Sequence, residues 1–348
     1  TFTGGSSILF YIANIVAMAM IASSFGEYCA LLIFGEGYSE IWVNVLASLL
    51  VVGLTAVNFI GAETVSKAET IIVLFKLAVL AIFTVATLFL LDSSKLAPST
   101  WPSFNLILAS LALTFLAFAG FNVIGNTAED MDNPQRDIPR AMYAAIGITM
   151  VLYVAIALAV FGTLSLQEIQ DNAETVLAVA AQPIFGQVGF VIMTLGALAA
   201  TASAVNATLY GSANITYALA KEGELPRQFK HRMWGSNEGL LITAAAVLIL
   251  TTLFPLNVIA SIASATFLLI YLLVNAAHLR LREQTGGNRF VIILALAACL
   301  FALALWAIHT FNSQPQSLLV VLVFIIISFA AEAVIQRTRK RRIRPRFK

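Results

Sequence analysis

Long uninterrupted apolar runs alternate with short polar stretches along all 348 positions of the chain. A bilayer's hydrocarbon core is about 30 Å thick, so a helix needs roughly 18 or more apolar residues to cross it. Ten runs meet or approach that requirement: roughly 5–34, 40–60, 69–91, 104–128, 140–164, 184–220, 239–254, 257–279, 290–310 and 317–335. Inside lipid every backbone polar group has to be paired within its own segment, so these runs are predicted as helices. The connections are short and polar, as at Phe34–Glu40 and Asp92–Ser103. The run at 184–220 is too long for one crossing, since at about 1.5 Å per residue it reaches roughly 54 Å. It has to tilt, or extend into the cytoplasm before Gly223 and Pro226 stop it. The pattern predicts an all-α membrane protein with ten transmembrane helices.

Composition agrees with that class. Hydrophobic residues make up 60% of the chain and charged residues 11%, where soluble domains carry about a quarter charged. A net charge of +2 gives no reason to expect nucleic acid as a partner. The placement of the charge says more than its sum. With ten spans both ends lie on one side. If that side is cytoplasmic, eighteen of the twenty basic residues fall on inner segments, eight of them between Arg337 and Lys348. Lys95 is then the one basic residue of the outer loops, and Lys76 lies within a span. This is the bias that sets orientation in cell membranes. The basic tail is read as a retention signal, with anionic lipid as a further partner. The chain opens at Thr1, without Met, and enters an apolar helix within a few residues. That is read as a missing N-terminal piece.

No nucleotide-binding loop and no dinucleotide glycine fingerprint is present in the sequence. His231, His278 and His309 are isolated and lack partners at metal spacing. Cys29 and Cys299 sit in apolar runs and suggest neither a disulfide framework nor a thiolate site. Asn206 and Asn214 open glycosylation tripeptides, but both fall inside a span. No cofactor is expected, and an enzyme is not indicated. One span carries an anomaly. The middle of 104–128 reads Phe115, Leu116, Ala117, Phe118, Ala119, Gly120, Phe121, Asn122. Gly120 permits a break, and Asn122 is expensive in lipid unless it meets a cavity or a partner. Two readings stand. A discontinuous helix exposes backbone groups that can hold a substrate's carboxylate or amine, whereas a small residue can equally serve close helix packing. Pro139 suits the first turn of the helix that follows.

Three motifs carry a resemblance. The first is FAGFNVIGNTAEDMDNPQRDIPR over 118–140, and the second is NATLYGSANITYALAKEGELP over 206–226, continued by Trp234 to Gly239. The third combines NFIG at 58–61, KAE at 67–69 and VLFKL at 73–77. Together they resemble the sixth, eighth, and fourth and fifth helices of the amino acid–polyamine–organocation permeases. Within that superfamily the chain is most similar to the archaeal proton-coupled, broad-specificity amino-acid transporters. The resemblance implies a twelve-helix fold of two inverted five-helix repeats plus two further helices. It divides the chain into 1–91, the last three helices of the first repeat; 92–280, the second repeat; and 281–348, two final helices and the basic cytoplasmic tail. It also implies that the family's first two helices are absent here, including the Gly-rich break that forms half of its substrate site.

The expected function is secondary active transport of amino acids across the cytoplasmic membrane by alternating access, as proton-coupled symport. An amino acid/amine antiporter is the alternative within transport, and a pore or structural membrane subunit the alternative outside it. The substrate site is expected at Phe115, Phe118, Ala119, Gly120, Phe121 and Asn122. Asn14 adds to these by its resemblance to a substrate-contacting asparagine of arginine–agmatine exchangers, although an interhelical hydrogen bond also explains it. No acid near the break marks a cationic substrate, which favours neutral amino acids. Proton coupling is expected at Lys76, as the resemblance implies, with Thr201 and Ser203 as oxygen partners. Snorkelling of Lys76 to the interface is the plainer alternative. Ser261, Ser264 and Tyr271 are further polar positions on a later span, and Glu27 lies near the outer end of the first.

Overall fold

Twelve helices account for nearly all the residues described by the computed structural model, which are 2–60, 63–89, 91–121, 124, 131–222, 232–233 and 236–339. In chain order they are α1 (Phe2–Phe34), α2 (Glu40–Ile60), α3 (Glu63–Phe89), α4 (Phe104–Ala117), α5 (Pro134–Thr163), α6 (Leu166–Asp171) and α7 (Val176–Glu222), followed by α8 (Glu238–Leu253), α9 (Leu256–Arg280), α10 (Arg282–Thr285), α11 (Arg289–Ser313) and α12 (Pro315–Arg339). Two two-residue strands, β1 (Arg232–Met233) and β2 (Ser236–Asn237), pair antiparallel before α8. Eight of the described helices are long and apolar enough to cross a membrane: α1, α2, α3, α5, α7, α9, α11 and α12. The runs at 104–128 and 239–254 yield shorter apolar helices, α4 and α8.

Two boundaries differ from the pattern-based expectation. α5 begins at Pro134, with Asn133 before it, so Pro139 lies inside the helix and not at its start. Pro134 occupies the first helical position, where its fixed φ is suited and its missing N–H is not needed. The first turns, with Arg136, Asp137 and Arg140, are too polar for lipid and extend the helix beyond the apolar run. The long run at 184–220 lies in a continuous α7 of 47 residues that is interrupted at Gly186, where φ is 62° and ψ −157°. Only glycine adopts that conformation readily, so the helix kinks there.

The chain divides into two compact units that interleave in sequence: residues 1–20, 108–116 and 208–348, and residues 21–107 and 117–207. In the first unit α9 packs against α8, α10, α11 and α12. Its apolar window is 61% buried, against 17% for α11 and for α12, so α9 forms the centre and the other two the rim. The small residues Ser261, Ala263, Ser264 and Ala265 of α9 are buried. Packing of this kind drives helix association in lipid, where no hydrophobic effect separates helix from solvent. Trp306 Nε1 on α11 donates to Ser261 Oγ at 2.9 Å, which gives that hydroxyl a structural partner. Tyr11 Oη and Thr243 Oγ1 lie 2.7 Å apart and join α1 to α8. Gly4 of α1 leaves room for the buried carboxyl of Glu332 on α12, which a Cβ would strike.

In the second unit the core gathers Tyr28, Phe83, Ala159, Val160, Leu164, Ala181 and Met193 from α1, α3, α5 and α7. α1 and α2 approach so closely that a Cβ at Gly26 would meet the Val43 carbonyl. Asn58 Nδ2 on α2 donates to Asn206 Oδ1 on α7 at 2.8 Å, a pair of amides that satisfy each other within an apolar bundle. The connection after α3 is tied down by polar groups. The Asp92 amide donates to Gly162 O at 3.2 Å, and Lys95 Nζ donates to Thr163 O at 2.6 Å. Lys95 therefore satisfies one of the final carbonyls of α5 and places a cation at the negative end of its dipole. The next turn carries a capping box: Ser165 and Glu168 hydrogen-bond reciprocally at the start of α6.

Candidate functional site

The interruption expected in the fourth apolar run is present. α4 ends at Ala117, and Phe118, Ala119 and Gly120 form a turn before a 3₁₀ conformation at Phe121 and Ile124. Fourteen helical residues span only about 21 Å, short of the hydrocarbon core. Gly120 sits at φ 109°, outside the range open to other residues, and a Cβ there would meet nothing within 4 Å. The glycine is thus required by backbone conformation, and the space beside it is open.

That space belongs to a cavity of about 280 Å³ lined by residues 117–121, Ile124, Ala145, Ile146, Thr149 and Tyr153. The size is at the lower edge of the usual range for small-molecule sites. The lining comes from the end of α4 and from one face of α5, where Ala145, Thr149 and Tyr153 recur at fours. No lining side chain is charged, and the two that carry polar atoms are Thr149 and Tyr153. The remaining polar groups are those of the backbone. The last turn of any helix presents carbonyls without intrahelical donors, at the negative end of its dipole. An ammonium group is the natural guest for such an end. Tyr153 Oη donates to one of these carbonyls, Ala117 O, at 3.0 Å. Its ring also lies 5.3 Å from that of Phe118 at a 59° tilt.

Sequence reasoning had identified Phe118, Ala119, Gly120 and Phe121, and the structure brings them together in this cavity. Phe115, three residues from the break, meets Tyr271 of α9 edge-on at 5.4 Å. Asn122 lies outside the described residues. Asn14 donates from Nδ2 to Phe10 O at 2.8 Å, within its own helix. Thr149 and Tyr153 were missed. Their one sequence signal is a pair of hydroxyl residues four apart within the otherwise apolar stretch 144–160.

The expected coupling residues lie on α3 and α7. Lys76 is half-buried on α3. One turn later a Cβ at Gly196 of α7 would pack on Val79, and further along Phe83 shares a cavity with Met193 and Ala181. The two helices therefore run antiparallel here. Ser203, seven residues beyond Gly196, returns to the same helical face, and it is buried. Thr201 stands on a different face and donates its hydroxyl proton to Ala197 O at 2.8 Å.

Comparison with known proteins decides the class. Residues 2–331 match the amino acid permease family. The chain belongs to that family. It is 39% identical over 307 residues to an uncharacterized protein of Methanocaldococcus jannaschii, covering 86% of this chain and 69% of that one. It is 32% identical over 335 residues to the inner membrane transport protein YbaT of Escherichia coli, covering 96% and 78% respectively. A more distant relative, at 22% identity over 249 residues, is the branched-chain amino acid permease BcaP of Bacillus subtilis, covering 69% of this chain and 52% of that one. The family and these named relatives are permeases and transporters, not enzymes. With its long apolar helices, the permease is a multi-pass membrane protein.

Proposed function

We propose that this permease is a proton-coupled amino acid symporter of the cytoplasmic membrane that works by alternating access. The observation that carries the reading is the interrupted end of α4. A permease that recognises an amino acid has to meet an ammonium and a carboxylate near the midplane without a charged side chain of its own. A broken helix supplies the partial charges for that task. The cavity beside Gly120 has backbone groups, two hydroxyls and otherwise apolar walls, which suits a neutral amino acid. In this reading the helices follow the ten-span pattern of a fold built from two inverted five-helix repeats plus two. Both ends are cytoplasmic, and the basic residues after Arg337 contact anionic lipid.

Coupling is assigned to Lys76. In this reading Lys76, half-buried on α3, takes its oxygen partners from Ser203 and Thr201 of α7. A lysine amine can alternate between charged and neutral forms, and the charged form draws hydroxyl oxygens toward it. Gain and loss of one proton there would tighten and release the contact between α3 and α7 once per cycle.

Uptake of labelled neutral amino acids into proteoliposomes tests the reading. An acidic outside should drive accumulation above the external concentration, and a protonophore should abolish it. Equilibration alone, indifferent to the pH gradient, would overturn symport. No uptake of any amino acid under either condition would overturn transport itself.

A further inference from the structure

We propose that Tyr153 is a positioning residue that clamps the interrupted end of α4 and so sets the shape of the substrate cavity. The proposal rests on the reading of that cavity as the substrate site, and it assigns to α5 a role in building the site. Three observations converge on this one side chain. Its hydroxyl donates to Ala117 O, the carbonyl of the last residue of α4, at 3.0 Å. Its ring backs Phe118, the first residue of the turn. Both groups line the same cavity as Gly120 and Phe121.

The physical need is specific to a broken helix. An intact helix pairs Ala117 O with the amide four residues on. Here the chain leaves the helical path by Gly120, and the Tyr153 hydroxyl donates to that carbonyl from a neighbouring helix. Backbone carbonyls among apolar helices need donors, because lipid offers no water in compensation. With that carbonyl engaged and Phe118 held by ring contact, the turn is fixed at its upstream end, and Gly120 then sets where the chain goes next. Tyr153 acts on the substrate through the backbone it holds.

Tyr153→Phe separates the hydroxyl from the ring. In the reconstituted full-length protein without substrate, hydrogen exchange of the peptide covering 118–124 should rise in Tyr153→Phe. Tyr143→Phe, an exposed tyrosine on the same helix, should leave it unchanged. Affinity for the transported amino acid should fall about threefold to tenfold, the range for losing one net hydrogen bond. Tyr153→Leu should do no better. If the ring alone mattered, Tyr153→Phe would match wild type in both exchange and affinity, and that result would overturn the proposal. Increased exchange with unchanged affinity would overturn it as well, by showing that the clamp does not serve the site. If wild type itself binds no amino acid, the functional reading fails, while the exchange measurement still judges the clamp.

Discussion

Single residues carry the sharpest claims. Gly120 combines a left-handed backbone with open space beside it, so the effect of a side chain divides into two parts. Gly120→Ala adds strain and little volume. Gly120→Leu adds the same strain and fills the cavity. The alanine variant should bind substrate somewhat more weakly, and the leucine variant at least tenfold more weakly, about 1.4 kcal/mol. Calorimetry on the purified protein reads this, and equal affinities for wild type and leucine would make Gly120 a packing residue. Lys76 gives the second test at this scale. Lys76→Ala should leave the protein folded but abolish accumulation driven by a pH gradient. Lys76→Arg should fail as well, because a guanidinium keeps its proton throughout the working range. Accumulation by Lys76→Ala with the wild-type pH dependence would return Lys76 to a snorkelling role at the membrane interface.

At the scale of elements, the turns around the end of α5 and the start of α6 are held by carboxylates whose ionised forms do the work. The hydroxyl of Ser94, and then its amide, hold the Asp92 carboxyl below its usual range. The Ser165 hydroxyl, followed by the Ser165 amide, does the same for Glu168. A depressed acid contributes stability that is complete above its unfolded pKa and is lost as pH falls through the folded one. The caps should therefore hold at neutral pH and release below about pH 4. After correction for intrinsic rates, exchange protection at the start of α6 should fall on acidification through that window. Glu168→Gln should already have lost that protection at pH 7. Retention of full protection by Glu168→Gln would show that the carboxylate does not hold the turn. The opposite end of α5 was legible in part. A proline near its start was expected, but the helix begins one proline earlier, because its first turns are polar and lie outside the apolar pattern.

For the whole molecule the distribution of lysine and arginine makes a prediction about orientation. In a variant with Cys29 and Cys299 replaced by alanine, a cysteine at Ser94 should react with an impermeant maleimide in intact cells. A cysteine at Gln284, between α9 and α11, should react only after permeabilisation. The reverse labelling would invert the topology. The two compact units are a feature of a different kind. Residues 1–20 and 108–116 group with 208–348, although neither segment adjoins it in sequence. A hydropathy pattern reports where each helix starts and stops, but is blind to such partnerships. In lipid every span is apolar on all sides, so no amphipathic face points to a neighbour.

The chain's own residues determined its class, its helices and the place of its break. Apolar length against bilayer thickness allows few alternatives, and a glycine flanked by aromatic residues within one such run marks where a helix can stop. They also determined the family, through motifs spread over most of the chain. What only the tertiary structure decided is which groups meet. Nothing in the local sequence says that Tyr153, thirty-six residues from Ala117, donates to the last carbonyl of α4. Nor does it say that the Ser261 hydroxyl is engaged by Trp306. A hydroxyl in an apolar helix has the same spacing whether it binds its own backbone, a neighbouring helix or a ligand. Its partner is set by how the helices cross, and that depends on close packing across the bundle.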